Sequence, residues 1–213
     1  MTTCINTQTS EQKERILPKI KIGLAEPPTV IIVNGYPRSG KDSFIKFCND
    51  CLNEWGFATE SCSSIDIVKK IAIQLFDWDG KKTPKSRKFL SDLKDILTRA
   101  GDIPLRYIIH QFIKFYKIKS IGDKSIGDLN EKFFFVQIRE PKEIEKTVNY
   151  FTREGIKVIT IFVNRGYEKN KKYSNHADAE VENYFYNFYI ENQSSLKDLE
   201  RLAWQFCREV LVP

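Results

Sequence analysis

A chain of 213 residues with 41% apolar and 29% charged side chains can bury one sizeable core, and its composition excludes a disordered or fibrous protein. Its 34 basic and 28 acidic side chains leave a formal charge of +6; that suits an anionic small ligand, and the basic residues form no block of the kind that tracks a nucleic-acid backbone. No apolar run reaches the length of a membrane span, Met1–Ser10 lacks a signal-peptide core, and the five cysteines are an odd number, so a membrane protein and a disulfide framework are disfavoured and a cytoplasmic location is expected.

Residues 1–27 read as a polar N-terminal extension with an apolar patch at Ile16–Leu24, closed by Pro27 and Pro28. It is expected to be a mobile arm or a short packed helix. Residues 28–213 read as the working domain. Thr29–Asn34 is a continuous apolar, β-branched run, the pattern of a strand buried on both faces. From Asp42 the period changes. Phe44, Ile45, Cys48, Cys51, Leu52 and Trp55 recur every three or four residues, and Gly56 stops the run, which predicts a helix. Cys48 and Cys51 then share one helix face. No second cysteine pair completes a zinc site, so they read as small apolar packing residues.

The alternation continues. Phe57–Ile65 is a strand candidate, and Asp66–Phe76 a helix. Thr83 and Pro84 form an N-cap and first-turn proline for a helix with Phe89, Leu90, Leu93, Ile96 and Leu97 on one face. Pro104–Ile118 is a further helix. Lys119–Leu129 contains the tandem echo Lys-Ser-Ile-Gly-Asp and reads as a loop. Phe133–Ile138 is a second buried strand, Pro141 opens a helix that Gly155 ends, and Val158–Val163 is a third strand. Tyr184–Ile190 is a weaker, aromatic strand, and Ser195 caps a last amphipathic helix reaching Val210. The expected fold is α/β: a three-layer arrangement with a mainly parallel, five-stranded sheet covered on both faces.

Between the first strand and its helix lies Gly35-Tyr36-Pro37-Arg38-Ser39-Gly40-Lys41-Asp42-Ser43, which meets the pattern G-x-x-x-x-G-K. Such a loop turns successive backbone N–H groups toward one point at a helix N-terminus, and its lysine sets a positive charge against the β- and γ-phosphates of ATP. Here the motif has the strand before it and the helix after it that the mechanism needs, so the three-layer fold is expected to be that of the P-loop NTPases. All nine residues are candidate ATP contacts, with Arg38 on phosphate or adenine. The position after the lysine usually carries a hydroxyl for Mg²⁺; here it is Asp42, followed by Ser43. Asp42 and Ser43 are the candidate Mg²⁺ ligands, an oxygen set that suits this ion, although Asp42 could equally just favour the positive helix end. The strand at Phe133 ends in Arg139-Glu140 rather than in the Asp that often holds the magnesium water shell. Glu140 is therefore a second candidate for the missing carboxylate.

A guanine-specific GTPase would carry Asn-Lys-x-Asp after a strand, whereas Val163 is followed by Asn164-Arg165-Gly166-Tyr167. Phosphoryl transfer relies on positioning and charge neutralisation, for which scattered arginines are the expected tools. The cradle Arg38-Ser39-Gly40-Lys41-Asp42-Ser43 resembles that of the bacteriophage-type deoxynucleoside monophosphate kinases. Ser63–Lys69, Arg87–Lys94 and Phe135–Pro141 look similar to the same group, over roughly residues 29–210, and the stretch from Tyr186 to Leu196 is similar to dephospho-coenzyme A kinases. The resemblance implies a helical acceptor-site insert at about 66–131, with Asp66, Lys69, Arg87 and Arg106 at the acceptor, and Arg139 forking onto the acceptor phosphate from a strand end. It also implies a lid at about 165–178, with Arg165 on transition-state charge. Each arginine could instead pair helices or face solvent, and Lys169, Lys171 and Lys172 could be ordinary surface. His176 and Asp178 read as structural. The leading expectation is an ATP- and Mg²⁺-dependent kinase for a (deoxy)nucleoside monophosphate, catalysed by Lys41, Arg139 and Arg165. The alternatives are a kinase for another phosphorylated small molecule, such as dephospho-coenzyme A, and a non-catalytic nucleotide-binding protein. Partners are expected to be nucleotides, not membranes or nucleic acid. The oligomeric state stays open, with a homodimer as one option.

Overall fold

The computed structural model describes residues 17–20, 27–81, 83–118, 132–165 and 181–212. Five strands, β1 (Thr29–Asn34), β2 (Ala58–Ser63), β3 (Lys132–Gln137), β4 (Val158–Asn164) and β5 (Phe188–Glu191), form one sheet in the order β2-β3-β1-β4-β5, with every pair parallel. The helices are α1 (Lys41–Glu54), α2 (Asp66–Phe76), α3 (Pro84–Gly101), α4 (Ile103–Ile118), α5 (Pro141–Arg153) and α6 (Leu196–Phe206), the last running into a π-helical turn at Cys207–Leu211. This is the three-layer P-loop NTPase arrangement anticipated above.

The continuous apolar runs are explained by what covers the sheet. Along β1 successive side chains point to opposite faces. Val30 and Ile32 join Phe134, Val136, Ile108, Phe112, Ile144 and Phe151 under α4 and α5. Ile31 and Val33 join Phe133, Phe135, Ile161, Phe44, Leu52 and Phe206 under α1 and α6. A strand with helices on both sides has no polar face to offer. Each fully buried phenylalanine of β3 adds about 1.5–3 kcal/mol of transfer free energy. Cys48 and Cys51 are buried in the α1–α6 layer, as a packing role requires. A third, smaller cluster of Val68, Ala72, Leu90 and Leu93 holds α2 to α3, outside the two main layers.

The last strand is shorter than its aromatic pattern suggests. Pairing begins only at Phe188, opposite Ile161. Before it, the side chain of Asn187 takes the place of the ladder: its Oδ1 accepts from Thr160 N–H at 2.8 Å and from Thr160 Oγ1 at 2.9 Å. Tyr186 meanwhile turns into the core, where it is buried.

At the N-terminus, residues 17–20 form no helix and dock on α5. Ile20 N–H donates to Glu154 Oε2 at 2.8 Å, and Tyr150 Oη donates to Pro18 O. The rest of the extension, the loop at Lys119–Leu129 and the lid beyond Arg165 lie outside the described residues, except Pro27. Among the described residues no helix is long and apolar enough to cross a membrane.

Candidate active site

In an open parallel sheet, ligands bind beyond the carboxyl ends of the strands, where the chain order reverses. Here the chain goes from β1 out to β2, returns to β3 beside β1, and then crosses to β4 on the other side. The reversal therefore falls at the end of β1, where Gly35–Lys41 sits. Val33 pairs with Gln137 of β3, and Asn34 with Phe162 of β4. Arg139 lies two residues beyond Gln137, level with Gly35, and Arg165 three beyond Phe162. With strands about 4.8 Å apart, these two arginines start from either side of the cradle. Both are partly buried. The topology thus brings together the three catalytic candidates, Lys41, Arg139 and Arg165.

The cradle owes its shape to two glycines. Gly35 has φ +152°, and a Cβ there would lie 2.3 Å from the backbone oxygen of Val163 and 2.6 Å from Ser39 Oγ. Gly40 has φ +95° and caps α1, and its Cβ would lie 2.5 Å from Asn192 Nδ2 and 3.0 Å from Leu199 Cδ2. Neither position accepts a side chain without displacing its neighbours. Between them Arg38, exposed, takes φ +65° without being glycine; such strain clusters where a loop must hold a special shape. Ser39 N–H donates to Tyr36 O at 3.1 Å, and Lys41 Nζ donates to the same oxygen at 3.2 Å. Lys41 is buried inside the turn, and Ser39 Oγ is buried with no hydrogen-bond partner. Tyr36 is pushed above its ordinary pKa, first by burial and then by Glu182. Pro37 is half-buried, Asp42 is exposed on the first turn of α1, and Ser43 beside it is half-buried.

Three residues that the sequence did not flag hold this edge of the sheet. Asn34 is fully buried. Its Oδ1 accepts from Gly35 N–H at 2.7 Å, while Nδ2 donates to Arg139 O at 3.0 Å and to Tyr186 Oη at 2.7 Å. Asn192, also buried, donates through Nδ2 to Ser39 O at 2.8 Å and through its backbone N–H to Asn164 O at 2.6 Å, joining β5 to the cradle. Lys94 lies on the apolar face of α3 and is 5% exposed. It contacts Glu140 and, at 2.7 Å, Glu143, whose Oε1 accepts from Thr98 Oγ1 at 3.0 Å. Burial acts to raise Glu140, but the Lys94 charge and hydrogen bond outweigh it and hold Glu140 below the usual carboxylate range. Burial leaves Glu143 raised. The signals were present: a polar residue closing an apolar strand, and a lysine within an apolar stripe.

The acceptor candidates are more dispersed. Asp66 accepts from Ser63 N–H at 2.8 Å and pairs with Lys69 at 3.5 Å, both beyond β2. Arg87 is exposed on α3. Arg106 donates through Nε to Gly101 O at 2.8 Å, across the α3–α4 junction, and this contact pairs helices. Glu140, the alternative metal carboxylate, is engaged by Lys94.

No family model and no curated protein matches the chain. Among solved structures it is similar to an APS kinase of Mycobacterium tuberculosis in complex with AMPPNP and APS, at 11% identity and TM-score 0.43, over 86% of this chain and 100% of that one. It is also similar to the tunicamycin resistance protein of Deinococcus radiodurans, at 11% identity and TM-score 0.45, over 86% of this chain and 95% of that one. A de novo designed protein of P-loop NTPase fold aligns at 13% identity and TM-score 0.38, over 87% of this chain and 94% of that one. With each of these TM-scores below 0.5, what the site can do rests on its own residues.

Proposed function

We propose that this protein is an ATP-dependent kinase that transfers the γ-phosphoryl group to a (deoxy)nucleoside monophosphate. The observation that carries this reading is the cradle itself: a glycine-framed turn at the sheet's reversal point, with Lys41 buried inside it and strand-end arginines on both sides. The turn and the N-terminus of α1 offer backbone N–H groups and a positive dipole to a polyphosphate. Ser39 Oγ supports the same ligand, because an unpaired buried hydroxyl costs about 1–3 kcal/mol, a cost that a phosphate oxygen would relieve.

Lys41 leaves Tyr36 O to meet the β- and γ-phosphates. Arg139, beyond the end of β3, forks onto the acceptor phosphate, and Arg165, beyond the end of β4, spreads transition-state charge. An acceptor that is itself a phosphate is already ionised, so no general base is required. Asp42 and Ser43 would hold Mg²⁺, which supplies charge neutralisation across the transferred phosphates. Glu140 is set aside from that role by its pairing with Lys94.

The test is to incubate the protein with ATP and Mg²⁺ against a panel of ribo- and deoxynucleoside monophosphates and dephospho-coenzyme A, and to follow ADP release. Acceptor-dependent release with at least one monophosphate is expected. ATP binding with no release on any acceptor would instead support a non-catalytic nucleotide-binding protein.

A further inference from the structure

Asn34 does more than end a strand. Its side chain has one oxygen and two N–H groups, and each is used on a different part of the site: Gly35 N–H begins the cradle, Arg139 O belongs to the acceptor-side strand end, and Tyr186 Oη belongs to the segment leading into β5. Tyr186 Oη passes the link on by donating to Val181 O at 2.7 Å. The Gly35 N–H can be accepted only by Oδ1, so the amide orientation is determined. Burying an amide is costly unless every polar atom is paired, and here all of them are. The bonds polarise one another in a dry environment, which stiffens the chain Val181–Tyr186–Asn34–Arg139.

We infer that Asn34 is a positioning residue for phosphoryl transfer: it sets the distance between the donor cradle and the acceptor arginine, Arg139. The inference rests on the kinase reading and deepens it. Arg139 has its backbone anchored by Asn34, while the next residue, Glu140, is anchored by Lys94 from α3. The arginine therefore starts from a point fixed on both flanks. Loosening one flank shifts the acceptor relative to the γ-phosphate, and a displacement of about 1 Å costs on the order of a hundredfold in rate. The ATP site should feel much less where the Asn34 oxygen is kept, because that oxygen accepts from Gly35 N–H and Asn192 anchors Ser39 O separately.

Asn34→Asp is the matching probe. It keeps the oxygen that accepts from Gly35 and removes both donated bonds. We expect kcat/KM for the acceptor to fall between about tenfold and a hundredfold, with KM for ATP within about threefold of wild type. Tyr186→Phe removes one hydroxyl and should fold even if Asn34→Asp does not. It is expected to lower acceptor kcat/KM by a few-fold, with KM for ATP unchanged, and to be non-additive with Asn34→Asp. A merely structural role would lower the melting temperature and the active fraction without separating the two substrates. Equal losses on both substrates, or no loss in either variant while wild type turns over, would sink the inference alone. A wild-type protein that phosphorylates no acceptor would overturn the kinase reading and the inference together.

Discussion

Replacing Lys94 by methionine probes the energetics at the rear of the site. Lys94 is the cation that contacts both Glu140 and Glu143, whose side chains are 19% and 17% exposed. Methionine fills a similar volume but removes the charge that both carboxylates contact. Breaking a buried pair by removing one partner costs about 3–5 kcal/mol. In a chain of this length each kcal/mol moves the melting temperature by about 2–4 °C, so a drop of about 6–20 °C is expected at neutral pH. The pH dependence carries the sharper signature. In wild type, Glu140 is held below its unfolded pKa, so its contribution is present above that value and is lost as pH falls through the folded pKa. In Lys94→Met, burial and mutual repulsion raise both carboxylates, so the fold holds a proton the unfolded chain releases. The variant's stability should therefore fall as pH rises from 5 to 8. Thermal melts of both proteins across this range provide the assay. A loss under about 1 kcal/mol, or a variant deficit that is flat with pH, would refute the idea that the lysine compensates buried charge.

Gly35→Ala should be the worse of the two cradle substitutions, since its Cβ meets immovable β4 backbone at 2.3 Å whereas that of Gly40→Ala meets the Asn192 side chain; strain of at least about 1–3 kcal/mol is expected at Gly35, read as a lower melting temperature and weakened ATP binding. A thiol reagent at pH 8 should leave Cys48, Cys51 and Cys207 unmodified in the native protein, since all three are buried and burial, its largest cause, pushes Cys51 up to about 12; rapid native-state labelling, mapped by mass spectrometry, would contradict their packing role. Asp42→Asn should raise the Mg²⁺ concentration needed for half-maximal turnover, and an unchanged metal dependence would remove Asp42 from the metal site.

The fold could be read from the chain because its strands are buried on both faces, so apolar runs such as Thr29–Asn34 and Phe133–Ile138 stood out, and the period change at Asp42 located α1. The start of β5 could not, because the Asn187–Thr160 exchange replaces main-chain pairing with side-chain bonds that leave no periodic signal. The candidate cradle was equally open to reading, as a local motif whose nine residues are contiguous. Asn34, Asn192 and Lys94 escaped because their partners lie 105, 153 and 46 residues away. For the acceptor candidates spacing was the weaker guide: Arg106 bonds a helix end and Asp66 bonds its own turn, contacts that spacing alone does not distinguish from ligand binding.

The most direct measurement of the central claim follows labelled γ-phosphate from ATP onto the acceptor, in wild type and in Lys41→Ala. The kinase reading requires label on a nucleoside monophosphate with wild type, and a loss of about a hundredfold or more when the cradle lysine is removed. Full transfer by Lys41→Ala, or label appearing on no acceptor with wild type, would contradict it.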